Sequence, residues 1–516
     1  MSRLRPVWFA ICLLQILGTF VLGQDDSSQS LADVARKLRK ETSDEVRMTD
    51  ADTKKLFDSV DRIFTFSSED SGFPKHDAVK RRLVSKVDVQ KYATGQMAKE
   101  EYAQRFARAE LAMKKLGFLP REFNLRDFLV KSTSNQIAGY YDPETKMISL
   151  LNWVPADHQY PILAHELTHA LQDQNYDLRK WMKAASKPGT DSKPEDDDGG
   201  LARKAVVEGQ AMVVYVDFLL APVGRSLQDT PGLIYQMEDP AVKAVQDSQM
   251  MHDAPMILRE AGTFAYKEGL IFEGELLHKG GKKMAFEGAF IHPPRNSHQI
   301  LDPDTYINGE KLASVTIPDL KPLIGEQYDV FDSGGVGQLD VRAYLKQYGE
   351  RRIADEVSAA WQGGAYFTYK KKNTASADAP TTADLALLYV SRWKTPQIAE
   401  HYSQFYASTV AQRYRTATLQ SAPACSGTKC PASTLQFDTE EGPVRIERWA
   451  DNTVIISESF DASTASKVCD AVRNTNAHAS VESGPEIGLR LFEIPAFDRF
   501  AAQIGSAIEA GIQSGR

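Results

Sequence analysis

YPILAHELTHALQDQN, residues 160–175, reads as a helix with Leu163, Leu167, Ala170 and Leu171 on one core-facing stripe. His165 and His169 lie four positions apart, which places them about 40° apart on one helical face, so both imidazoles can reach a single ion. Glu166 sits beside that ion, where a carboxylate can take a proton from water. Two histidines and a glutamate do not belong next to an apolar stripe unless something satisfies them. Chance alone would write H-E-x-x-H into roughly one chain of this size in a hundred. Zn2+ is the expected cofactor, because two imidazoles and a carboxylate with one open position form its common catalytic set.

The third ligand is sought on the next long helix. Residues 201–220 are apolar nearly all round, with Val206, Val207, Val213, Val214 and Val216, the pattern of a buried helix. Glu208 falls inside it, where an unpaired carboxylate costs several kcal/mol. Its partner is either the ion or a neighbouring Arg203 or Lys204. Asp173, one turn after His169, either orients an imidazole or ends the helix. A donor for a developing oxyanion is also expected, with Tyr266, His298 and Tyr306 as candidates.

Before the metal helix the period changes. Residues 137–141 and 146–151 read as two strands joined by a turn at Asp142-Pro143-Glu144-Thr145. The strand at Ile148–Leu151 is expected to line the cleft and pair with an extended substrate backbone. Residues 31–116 read as helical, broken at Thr65–Pro74 and at Gly117-Phe118-Leu119-Pro120. They form either an integral lobe or a removable pro-segment. The run Glu195-Asp196-Asp197-Asp198 reads as a solvated acidic loop. Further on, helices are expected at 338–361, 397–414 and 462–473. Strands are expected at 365–371 and 385–390, and a hairpin turning at Asp451-Asn452 spans 444–460. They suggest a small α+β module covering one face of a sheet.

The 516 residues are 42% hydrophobic and 25% charged, an ordinary globular balance for a chain of several domains. A formal charge of -8 argues against nucleic acid as a partner. Arg3 and Arg5 precede an apolar run, Val7–Leu22, that reads as a signal peptide cleaved before Gln24, with an uncleaved anchor as the alternative. The chain is therefore expected to be exported, periplasmic or secreted, with no stable membrane span after cleavage. Of the cysteines that remain, Cys425 and Cys430 are expected to close a small loop and leave Cys469 over, with other pairings open.

H-E-L-T-H-A-L-Q-D, residues 165–173, resembles the active-site helix of gluzincin metallopeptidases of the thermolysin type. Val207-Glu208-Gly209-Gln210-Ala211 resembles the motif that supplies their third ligand. More widely, residues 130–415 are similar to a group of prokaryotic zincin-like proteins. The shared features are Gly139-Tyr140-Tyr141-Asp142-Pro143, a turn at Tyr266–Gly269, Pro293-Pro294 with Gln299-Ile300-Leu301, and Trp361–Tyr366. Two positions depart. Thermolysin-type enzymes carry Asp where this chain has Met212, so another group must orient the imidazole. Asn296-Ser297-His298-Gln299 stands where the group tends to have Ser-Thr-Glu-Gln.

The resemblance implies an α+β fold with a zincin-like, largely helical core at 121–330. A helical N-terminal region (24–120) follows the signal peptide (1–23), and residues 331–516 form the C-terminal α+β region. It further implies a zinc metallopeptidase acting on a peptide or protein, with Glu166 as general base and His165, His169 and Glu208 as ligands. The rival expectation is a zinc-stabilised binding or envelope scaffold without turnover.

Overall fold

The computed structural model describes residues 48–89, 91, 100–129, 139–184, 196–235, 249–313, 315–372, 380–421 and 430–476. Its elements are those of an α+β protein, with a small three-stranded sheet among the N-terminal helices and a seven-stranded antiparallel sheet in the C-terminal part. The signal-peptide reading at 1–23 and Cys425 lie outside the described residues.

The first helix, α1 (Asp50–Ser71), is capped by Thr49, whose side chain accepts from Asp52 N, and ends at Gly72 in the left-handed region, φ 77. The break expected from Thr65 therefore falls at Gly72. The Ser and Thr hydroxyls are absorbed within the helix, Thr65 bonding Asp61 O at 2.9 Å and Ser71 bonding Ser67 O at 2.6 Å. Next comes β1 (Lys80–Val84), a strand where a helix was expected. Helix α2 (Glu100–Leu116) follows, and then the expected hairpin of β2 (Tyr140–Asp142) and β3 (Met147–Leu151).

These strands form a three-stranded sheet in the order β1-β3-β2, with β1 parallel to β3. This overturns docking of substrate against Ile148–Leu151. β3 is the central strand, and both of its edges are already paired. Helix α3 (Ala156–Tyr176) carries the two histidines and packs against α1, where Ser67 Oγ bonds Ala164 O at 3.2 Å. Leu56, Val60 and Ile63 of α1 share one core with Leu163, Leu167 and Leu171 of α3, so the N-terminal stretch is part of the body that holds the site.

Helix α4 (Asp197–Leu220) is buried along almost its whole length, as its apolar composition demands. It packs on α3 and on α5 (Met256–Lys282). Tyr266–Gly269, expected as a turn, lies inside α5. The glycine is needed for close approach: a β-carbon on Gly269 would meet Ala205 O at 2.4 Å, and one on Gly209 would meet Gly269 O at 2.3 Å. After a non-helical Gly281, residues Lys283–Gly288 wind as a π-helix. Short α6 (Ser297–Leu301) then returns to the start of α4, where Ser297 N donates to Asp198 Oδ1 at 3.1 Å. The acidic run is thus no free loop in its described part. Asp196 caps α4, and burial with the nearby charge of Asp340 pushes Asp198 up to about 7. Glu195 lies outside the described residues.

The C-terminal region is a seven-stranded antiparallel sheet, larger than the sequence suggested. Its order is β4-β5-β6-β10-β9-β8-β7, from β4 (Tyr328–Gly335), β5 (Trp361–Lys371), β6 (Leu385–Trp393), β7 (Ala417–Gln420), β8 (Ser433–Thr439), β9 (Gly442–Arg448) and β10 (Thr453–Glu458). Helices cover both faces, not one. Leu387 and Tyr389 of β6 pack with α8 (Pro396–Arg413), and Ala386, Leu388 and Val390 with α9 (Ala462–Asn476). A continuous apolar strand such as β6 is what a sheet covered on both sides requires. Helix α7 (Gln338–Gln347) ties this region to α5, with Arg342 and Lys346 holding Glu260 at 3.0 and 3.1 Å. Helix α2 docks on the sheet through buried Lys115, which binds Glu441 at 2.8 Å. Cys430 is disulfide-bonded and Cys469 is a buried free thiol.

Candidate metal centre

Helices α3 and α4 cross so that His165, His169 and Glu208 face one point. The two Nε2 atoms are 3.1 Å apart, and each stands 3.3 Å from Glu208 Oε2. These edges form a nearly regular triangle. Ligands at about 2.05 Å around a tetrahedral ion are separated by about 3.3 Å, so the triangle has the dimensions of one tetrahedral face. Burial closes one carboxylate oxygen and two ring nitrogens around a single point, an arrangement that a cation between them satisfies. The residues fit a divalent ion, and the cluster could hold one. Arg203 donates to Trp181 O at 2.9 Å and stacks on that indole, while Lys204 lies over the Tyr266 ring.

Burial pulls His169 down, but the carboxylate of Glu208 outweighs it and lifts the imidazole to about 9. Burial would raise Glu208 in turn. The charge on His169 and hydrogen bonds from both rings hold it well below the usual carboxylate range. The site is thus built for net positive charge at its centre. Glu166 lies next to it, close enough for its charge to act on His169, and its Oε2 accepts from Tyr141 N at 2.7 Å. The strand edge that meets the site is therefore β2, not β3.

Asp173 does not orient an imidazole. It accepts from Tyr141 Oη at 2.8 Å, from Leu178 N at 3.0 Å and from Lys146 Nζ, clamping the hairpin onto the end of α3. The group that holds His169 is Gln172, whose Oε1 lies 2.8 Å from Nδ1. Gln172 Nε2 donates to Val207 O at 2.9 Å and to Gln210 Oε1 at 3.0 Å. Both glutamines are fully buried and neither was singled out from the sequence, although a residue three positions after a helical histidine is a natural partner for it. Gln172 meets the imidazole directly, and Gln210 reaches it through Gln172.

Of the three oxyanion candidates, Tyr266 is brought to the site, with its ring stacked on His165 at 6.2 Å between centroids. His298 bonds Gln338 at 2.5 Å through Nδ1 and packs by Trp361. Tyr306 donates its hydroxyl to His292 O at 2.7 Å and packs by Phe272. Neither makes a contact with the three ligands. A cleft of about 1010 Å³ between α2 and the C-terminal region, lined by Arg121, Tyr348 and Arg413 among others, contains none of the site residues.

A family model described as Domain of unknown function (DUF8575) matches residues 326–469. That stretch runs from just before β4 into α9, so it marks out the C-terminal sheet and leaves the metal centre outside it. No curated protein and no solved structure matches the chain.

Proposed function

We propose that this protein is an exported zinc metallopeptidase with a zincin-like core. The observation that carries the reading is the triangle of His165, His169 and Glu208, sized for a tetrahedral ion, with the carboxylate of Glu166 at its side. Zinc, when bound there, supplies Lewis acidity that brings water toward a pKa of about 7 and polarises a carbonyl. Tyr141 N–H holds Glu166 Oε2, so Oε1 is the oxygen that takes the proton from the attacking water and returns it to the leaving amine. Tyr266 is the oxyanion donor of choice by position, and β2 is the strand edge nearest the reacting bond. The substrate is a peptide or protein. The disulfide at Cys430 supports an oxidising compartment, in keeping with export.

The rival reading, a zinc-stabilised scaffold, draws on the hydrogen bond between Tyr141 and Glu166, which would serve structure alone. Purified mature protein incubated with a degenerate peptide library separates the two. Wild type should cleave and lose cleavage to a chelator, whereas Glu166→Gln should keep its zinc and lose cleavage. A Glu166→Gln variant with full activity would sink the peptidase reading.

A further inference from the structure

Helix α5 ends in an unusual way, and the ending reaches the metal ligands. The π-helical turn Lys283–Gly288 departs from α-helical bonding, and two of its carbonyls, Ala285 O and Phe286 O, accept from Gln210 Nε2 at 2.8 and 3.0 Å. A carbonyl can only accept, so the amide of Gln210 has one allowed orientation: its NH2 faces the π turn and its oxygen faces Gln172. The same logic fixes Gln172, whose NH2 meets Gln210 Oε1 and Val207 O, leaving its own oxygen toward His169. An amide oxygen facing Nδ1 at 2.8 Å requires that Nδ1 carry a proton. The lone pair of His169 available to an ion is then on Nε2, the atom that faces His165 and Glu208. Reversing any one link would set donor against donor or acceptor against acceptor in a fully buried place.

We propose that Gln210 and Gln172 are positioning residues, a polar relay that carries the polarity of the π-turn carbonyls to His169 and presets its metal-accepting tautomer. The relay acts on one ligand, since His165 Nδ1 is buried without a hydrogen-bond partner. The inference rests on the metal reading of the site and is independent of hydrolysis.

The test is the zinc dissociation constant of the mature chain, measured by competition with a chromogenic chelator, alongside melting of the metal-free protein. Loss of an outer hydrogen-bond partner typically weakens a metal site by about 10–100-fold. Gln172→Leu should lose zinc affinity by that factor. Gln172→Glu keeps an acceptor for Nδ1–H but loses the NH2 that meets Val207 O and Gln210 Oε1, so it should recover part of the zinc affinity while lowering melting of the metal-free protein. Gln210→Leu should fall between, because Gln172 keeps Val207 O. A purely structural role would lower melting in all three variants and leave the affinity of the folded protein unchanged. That result, or equal losses in Gln172→Leu and Gln172→Glu, overturns the relay. A wild type that binds no zinc overturns the metal reading, and the relay with it.

Discussion

Replacing Gly209 with alanine should force α4 and α5 apart at the point where they carry the site. A β-carbon there would stand 2.3 Å from Gly269 O and 2.5 Å from Gly269 C, against 3.4 Å for ordinary contact. The obstacle is backbone, so no side chain can swing away, and the helices must separate by about 1 Å. The same crossing is tight one turn earlier on α4, where a β-carbon on Gly269 would stand 2.4 Å from Ala205 O. Overpacking of this kind costs about 1–3 kcal/mol, and a backbone clash belongs at the upper end, a fall of roughly 5–10 °C in melting. Glu208 adjoins Gly209, and Tyr266 lies one turn before Gly269. A shift of about 1 Å exceeds the ~0.5 Å within which a ligand set must be held, so zinc affinity should drop as well. Thermal melting with and without zinc, plus chelator competition, reads both effects. Gly232→Ala is the control, since its β-carbon would meet nothing within 4 Å. A Gly209→Ala protein that melts and binds zinc like Gly232→Ala would refute the helix crossing described above.

Two further outcomes follow from buried groups. Burial, and after it the charge of Asp70, pushes Asp217 up to about 7 from an ordinary 3.8. A raised carboxyl contributes stability that is complete below its unfolded value and lost as pH climbs through the folded one. Asp217→Asn should therefore leave stability unchanged near pH 4 and raise it near pH 8 by up to about 4 kcal/mol, provided Asn keeps the bond from Leu227 N. Urea denaturation at the two pH values checks it, and a gain that does not grow with pH counts against the buried pair. Tyr266→Phe should cut kcat by about 10–1000-fold with zinc content intact if its hydroxyl meets the oxyanion. An unchanged kcat removes Tyr266 from the mechanism.

How far the sequence could be read depended on what each residue type announces. His165 and His169 were legible because four-residue spacing on a helix is geometry, and Glu208 because a carboxylate inside an apolar helix has to be explained. The two-sided burial of β6 is written in its unbroken apolar run, although its reach to Trp393 is not. β1 was hidden: Lys80-Arg81-Arg82 looks like a solvated face. It becomes a strand through pairing with β3 and through Arg82, which bonds Ser149 Oγ at 2.9 Å and Tyr140 Oη at 3.1 Å. Gln172 and Gln210 were silent for another reason. A neutral amide leaves no charge pattern, and their orientation is set by carbonyls of a π turn far along the chain. The same remoteness left Asp173 open between orienting an imidazole and ending the helix, because its partners Tyr141 and Lys146 lie on the hairpin and come to it only in the fold.

The most direct test of the account is the metal content of the mature chain, purified without added metal and assayed by elemental analysis beside Glu208→Ala. The account predicts one zinc per wild-type chain and loss of that zinc in the variant. A wild type without bound metal, or a Glu208→Ala protein that holds zinc as tightly as wild type, would contradict a centre built from His165, His169 and Glu208.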